Sequence, residues 1–153
     1  MIDMNNNSFK TVVVPVTIAS ELEREQGKFK VALIAHDSKK ADMLAFTVKN
    51  RDILEKCSLI ATKATGQLIN KKTTLEVKEV MPGPEGGDLQ IGGLVASEEM
   101  DLVIFLRDPL AKQPHDPDIA ALMKVCDVHD IPLATNLSSA EILLRGLAEK
   151  LND

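Results

Sequence analysis

The 153-residue sequence predicts an α/β fold, a single doubly wound three-layer domain around a five-stranded, mainly parallel sheet. Three observations carry this. From Phe29 onward short apolar runs alternate five times with longer amphipathic ones. The stretches between the apolar runs are long enough for crossover helices, which parallel neighbours require. The length and the 44% hydrophobic content suit one ordinary domain with a substantial core.

In order, KVALIA (30–35) reads as the first strand, and an amphipathic stretch over 39–56 as a helix that breaks near Asn50. SLIAT (58–62) is the second strand and 66–72 the helix after it. LEVKEV (75–80) alternates apolar and polar residues, the pattern of an edge strand rather than a central one. A helix over 88–99, the strand LVIFL (102–106) and a helix over 118–129 follow, the last with Pro117 and Asp118 making an acidic first turn. IPLAT (131–135) is the fifth strand, and 139–151 the closing helix, for which Ser138 and Glu141 have the spacing of a capping box. Residues 1–28 read as an N-terminal extension in which TVVVPVTIA forms an extra edge strand or a partly ordered segment and ELEREQGK a short helix.

Composition removes several function classes. A net charge of −5, no Trp or Tyr and four Phe argue against a nucleic-acid surface made of basic patches and stacking rings. TVVVPVTIA is too short to span a bilayer, contains Pro15 and follows no basic segment, so neither a membrane anchor nor a targeting peptide is expected. Cys57 and Cys126 are far apart and lack metal-ligand spacing, as reduced thiols of a cytoplasmic protein would. No spacing of His and acids supports a metal site.

In open α/β sheets ligands bind beyond the carboxyl ends of the strands. Those exits hold His36-Asp37-Ser38-Lys39-Lys40, then Lys63-Ala64-Thr65-Gly66, then MPGPEGGD, then RDPLAKQPHDPD with Arg107, Asp108, His115, Asp116 and Asp118, and finally Asn136. Two of the three histidines and the most acidic loop thus converge on one edge, whereas His129 sits at the far end of a helix, as a surface residue. GPEGGDLQIGG (83–93) poses the sharpest problem. Its glycines bring backbone N–H groups toward an anion, yet Asp88 would repel one. An acid there fits proton transfer instead, provided burial or nearby negative charge raises its pKa toward the working pH. With a phosphorylated substrate on the Thr65-Gly66 helix start, charge from Lys40, and His36 and His115 polarising oxygens, the matching reaction class is proton abstraction next to a carbonyl. A response-regulator receiver domain has the same β-α alternation but needs an Asp after the third strand and a Lys after the fifth. Met81-Pro82 and Asn136 stand there.

The set AHDSKK, ATKATG, GPEGGDLQIG, RDPLAKQPHDPD and IPLATN, in this order, resembles methylglyoxal synthase over about residues 30–145. The resemblance implies that 29–153 is a methylglyoxal synthase-like catalytic domain. It also implies a cytoplasmic homohexamer that converts dihydroxyacetone phosphate to methylglyoxal and inorganic phosphate, with no cofactor, and that phosphate is both product and inhibitor. Carried over by position, Asp88 is the base, His115 and Asp118 handle protons of the enediolate oxygens, and His36 and Asp37 line the substrate. Lys40, Thr62, Thr65 and Gly83 match phosphate contacts, with Lys63, Ala64, Gly66 and Pro82 in the same loops. Two departures stand out. The family's Thr-Gly-Thr-Thr-Gly loop is Thr62-Lys63-Ala64-Thr65-Gly66, and a Ser before the Gly-Pro is Pro82. The chain also ends soon after Leu151, without the Arg-bearing tail of some members. A nonenzymatic relative, the effector-binding domain of carbamoyl-phosphate synthetase, is the alternative; it would have no use for the acids.

Overall fold

The inner strands are apolar on both faces because both faces are covered. In the computed structural model, which describes residues 28–152, five strands form one sheet. They are β1 (Lys30–Ala35), β2 (Ser58–Ala61), β3 (Val77–Glu79), β4 (Leu102–Leu106) and β5 (Leu133–Ala134). Every pairing is parallel and the order is β3-β2-β1-β4-β5, with Val31 opposite both Leu59 and Leu102. The expected strand TVVVPVTIA and helix ELEREQGK lie outside the described residues.

Side chains alternate across a strand, so β1 feeds two cores. Val31, Leu33 and Ala35 join Met43 and Phe46 of α1 (Lys40–Lys49), Leu54 of α2 (Arg51–Leu54), Ile69 of α3 (Lys63–Lys72) and Leu144 of α6 (Leu137–Leu151). Ala32 and Ile34 join Ile91 and Val95 of α4 (Gly87–Ala96) and Ile119 and Leu122 of α5 (Asp116–Val128). These are the expected three layers. Cys57 and Cys126 are free and buried, one in each core. Among the described residues no helix is long and apolar enough to cross a membrane.

Local chemistry sets the boundaries. The helix expected over 39–56 breaks at Asn50, whose side-chain amide donates to the Phe46 carbonyl at 2.9 Å and to Glu141 Oε1 at 3.1 Å. The expected capping box does not form. Asn136, in extended conformation, takes the N-cap and accepts from the Ser139 N–H at 2.9 Å, so α6 starts two residues early and Ser138 lies inside its first turn. Glu141 is drawn instead to Asn50 and to Lys49 at 3.5 Å. The helix expected over 66–72 begins at Lys63, and β5 is shorter than expected, since Pro132 has no N–H to give the ladder. His129 caps the end of α5 and is half-buried rather than fully on the surface.

LEVKEV is an edge strand, as its alternation predicts. Asn70 of α3 satisfies its backbone: Oδ1 accepts from the Val77 N–H at 2.8 Å and Nδ2 donates to the Val77 carbonyl at 2.9 Å. Asn70→Ala leaves both groups without these bonds and is expected to cost about 1–3 kcal/mol. Urea unfolding at unchanged m-value measures it; an unmoved midpoint would show that water replaces the amide at no cost.

Candidate active site

After β3 the chain turns through Met81-Pro82 into a single 3-10 turn, Gly83–Glu85, and then into α4. Two glycines make the turn possible. Gly86 adopts φ 105°, the left-handed region that glycine enters without strain. Gly87 packs so closely under the preceding loop that a Cβ would run into the Met81 carbonyl oxygen. The turn delivers Asp88 to the first turn of α4, where it is 0% exposed and neither carboxylate oxygen has a hydrogen-bond partner among the described residues. Burial raises its pKa above the ordinary carboxylate value; His115 opposes the rise and Asp118 adds to it.

His115, the N-cap residue of α5, places Nε2 3.4 Å from Asp88 Oδ2. Gly83 covers this pair. A Cβ on it would sit 3.1 Å from His115 Nε2 and 3.4 Å from Asp88 Oδ1, so Gly83 separates the buried Asp88, which does not itself line the cleft described below, from that space. Asp118 lies half-buried one turn into α5, its N–H bonded to the His115 carbonyl at 2.9 Å.

His36 leaves β1 with its N–H on the Leu106 carbonyl at 3.1 Å, and its ring stands edge-on to Phe105 and His115, with centroids at 5.2 and 5.9 Å. The Asp108 N–H donates to His36 Nδ1 at 2.8 Å. A nitrogen that accepts cannot carry a proton, so the neutral ring is protonated on Nε2. That atom is buried and has no partner among the described residues. Burial lowers the His36 pKa; His115, Arg107 and Lys40 lower it further, while Asp108 acts in the other direction.

Residues expected to contact phosphate lie at the start of α3. Thr62 is its N-cap residue and makes no side-chain cap bond; Thr65 is 0% exposed, with its hydroxyl unpartnered among the described residues. Lys40 Nζ donates to the Ala35 carbonyl at 2.7 Å and pairs with Asp37 at 3.2 Å. His36, Lys40, Thr62, Gly83, Gln113 and His115 line a cleft of about 220 Å³, with Asp37, Ala64 and Pro82 on its walls as well. At ~30 Å³ per water that is the share of roughly seven waters, room for a small phosphorylated molecule. Asp37 nonetheless points its carboxylate to solvent, and Lys63 is exposed. Gly66 lies a turn deeper than the sequence implied: its N–H is bonded to the Thr62 carbonyl at 2.9 Å, and its missing side chain makes room for Glu79.

The sequence reading did not single out Gln113 or Pro84, which also line the cleft. Both flank residues it did name, within PHDPD and GPEGGD, but only the folded loop turns them inward. It also gave no role to Ser38 and Asp108. Ser38 Oγ donates to Asp108 Oδ2 at 2.9 Å, bracing the loop that holds His36.

The MGS-like domain family model matches residues 42–135. Methylglyoxal synthase of Thermoanaerobacterium thermosaccharolyticum is 61% identical over 117 residues, 76% of this chain and 87% of that protein. This chain belongs to the methylglyoxal synthase family. The family's Bacillus subtilis (strain 168) member is 57% identical over 120 residues, 78% of this chain and 88% of its own. The crystal structure of methylglyoxal synthase from Elizabethkingia anophelis NUHP1 superposes with a TM-score of 0.72 at 43% identity, covering 76% of this chain and 77% of that one.

Burial of Asp88 has a consequence for stability. Its folded pKa lies above the ordinary 3.8, so between these values the native state holds more protons than the unfolded chain, and stability falls as pH rises through the window. Asp88→Asn removes the charge and keeps the shape. At neutral pH the variant is expected to be at least as stable as the parent, with the advantage vanishing below pH 3.8. Denaturant titrations at pH 3.5 and 7 test this; a variant less stable than the parent at pH 7 would contradict it.

Proposed function

We infer that the chain is a carbon–oxygen lyase that converts dihydroxyacetone phosphate to methylglyoxal and inorganic phosphate, with Asp88 as the base. The observation that carries the residue assignment is the carboxylate of Asp88, fully buried and without a hydrogen-bond partner among the described residues. A site that only held an effector anion would gain nothing from such a group, which weighs against the effector-binding alternative.

The geometry is consistent with the following steps. The phosphate sits at the N-terminus of α3, between its first N–H groups, the Thr62 and Thr65 hydroxyls and Lys40. Ala64 and Pro82, where the family motif has Thr and Ser, leave this set with fewer hydroxyls. Asp88 removes a proton from C3, the hydroxymethyl carbon, and the C–H electrons form the C2=C3 bond of an enediolate. His36 donates its Nε2 proton in a hydrogen bond to the C2 oxygen as charge gathers there. His115, beside Asp88, and Asp118 move the hydroxyl protons. Loss of the proton on the C3 oxygen makes the aldehyde, the C2=C3 electrons shift to C1=C2, and the C1–O bond breaks to release phosphate. Ketonisation of the resulting enol gives methylglyoxal. The scheme uses no metal or organic cofactor. For elimination the C1–O bond must stand roughly perpendicular to the enediolate plane; in the plane, the intermediate would be reprotonated instead. The same reading takes the enzyme as a cytoplasmic homohexamer, with phosphate acting as inhibitor at the subsite that binds the substrate's phosphate.

The test is incubation of the protein with dihydroxyacetone phosphate in phosphate-free buffer, with methylglyoxal and phosphate both measured. Equal amounts of the two are expected, and neither appearing would sink the reading. Asp88→Asn should retain phosphate binding yet lose at least two to four orders of magnitude in kcat, as removal of a general base does. A variant turning over at near the parental rate would reassign the base.

A further inference from the structure

Arg107 follows the last residue of β4 and takes no part in the scheme above. It is half-buried, and it lines a cavity of about 420 Å³ that His36 also borders, between the loop carrying Asp108 and Lys112 and Met123 of α5. Its Nε is buried and has no partner among the described residues, and Nη1 lies 3.5 Å from Met123 Sδ, a weak acceptor. A guanidinium in such a place ordinarily finds a carboxylate. Two carboxylates among the described residues line the same cavity and both are committed elsewhere: Asp108 accepts from Ser38 Oγ at 2.9 Å and from the Leu110 N–H at 3.0 Å, and the exposed Asp116 accepts from the Gln113 N–H at 3.3 Å.

The charged and titratable groups around His36 can be taken element by element. His115 faces it from α5 and Lys40 from the start of α1; Arg107 and Asp108 come from the loop after β4. Asp37, next in the chain, is paired with Lys40 and turned to solvent. Lys112 and Asp116, from the loop after β4 and the start of α5, border the same cavity and are exposed, so the surroundings hold fixed positive charge close by while the three acids are exposed or already bonded.

We propose that Arg107 is a positioning residue: its guanidinium behind the substrate cleft, whose Nε has no partner among the described residues, keeps His36 in the neutral form, with its proton on Nε2, that the enediolate requires. The backbone N–H of Asp108 selects which nitrogen carries the proton, and Arg107 opposes the arrival of a second one. The two act on the same ring from the same loop. A half-buried cation with no carboxylate partner among the described residues reduces stability, and Arg107→Met, matched to the apolar Met123 beside it, should not unfold the chain. This inference rests on the functional reading only in what the neutral imidazole is for; the protonation state is measurable without substrate.

Nitrogen-15 NMR of the imidazole in the full-length protein supplies the test. The parent is expected to show a protonated Nε2 and an unprotonated Nδ1, and to titrate below the ordinary 6.5. In Arg107→Met the titration moves up, and in Arg107→Lys, which keeps the charge, it stays near the parental position. The acid limb of kcat/KM moves with it, so that between pH 8 and pH 6 the Met variant loses about threefold more activity than the parent. A purely structural role would instead lower kcat/KM uniformly across pH. A titration unchanged in Arg107→Met overturns the inference, as does a parent ring protonated on Nδ1, a result that needs no variant. If the titration shifts as expected but the parent forms no methylglyoxal, the inference stands and the functional reading falls.

Discussion

A buried carboxylate with no hydrogen-bond partner among the described residues raises the free energy of the native state, and the architecture around Asp88 holds it there nonetheless. In water the group would be a weak base with an ordinary pKa; burial disfavours its charged form and raises its pKa, which suits it to the role of base proposed above. The N-terminal position on α4 favours the anion to some extent, since the helix dipole presents its positive end. Burial dominates all the same. The stabilisation that offsets it comes from the two apolar cores on either side of β1, built mainly of aliphatic and sulfur-bearing side chains with Phe46 and Phe105, the latter packed directly against the His36 ring.

Topology brings the other groups to that carboxylate. Strands β2 and β3 lie to one side of β1 and β4 and β5 to the other, so the connection from β3 to β4 must cross the sheet. That connection contains α4, and its start carries Asp88. The reversal of direction at β1 opens a crevice between the exits of β1 and β4. His36 and Asp108 leave those two neighbouring strands and so meet directly, with the N–H of one on the ring nitrogen of the other. His115 reaches the same place from the cap of α5, which packs against the same core as α4.

Much of this was legible in the sequence because it depends on local periodicity. Five apolar runs separated by amphipathic ones leave few arrangements other than a covered parallel sheet, and the alternation of LEVKEV marked its edge position. The convergence of His36, Asp88 and His115 followed from the rule that strand exits share one side. What escaped depends on contacts between segments far apart in the chain. Glu141 had the spacing of a capping residue, but Asn50, 91 positions away, competes for it. Gly66 had the sequence of a phosphate-contacting N–H group until α3 started three residues early and used that N–H in its own first turn. The protonation of His36 is set by a backbone amide 72 positions distant, and no motif encodes that.

The two ends of the catalytic apparatus impose one electrostatic requirement. An imidazolium at His36 would bind a phosphorylated substrate tightly through its charge, but that attraction is present before the reaction as well as during it and does not lower the barrier. It would also stabilise the anion of Asp88 and so return that group toward the weak base it is in water. A neutral Nε2–H donor avoids both effects. It interacts weakly with the ground-state carbonyl and strongly with the oxygen once negative charge has formed there, and it leaves the carboxylate destabilised. Burial of His36, the accepting role of Nδ1 and the positive charges nearby all favour that neutral form. The burial that raises the Asp88 pKa also favours neutral His36: desolvation disfavours charge on both, and the proposed mechanism has one of them give up its charge by taking a proton and the other never acquire one.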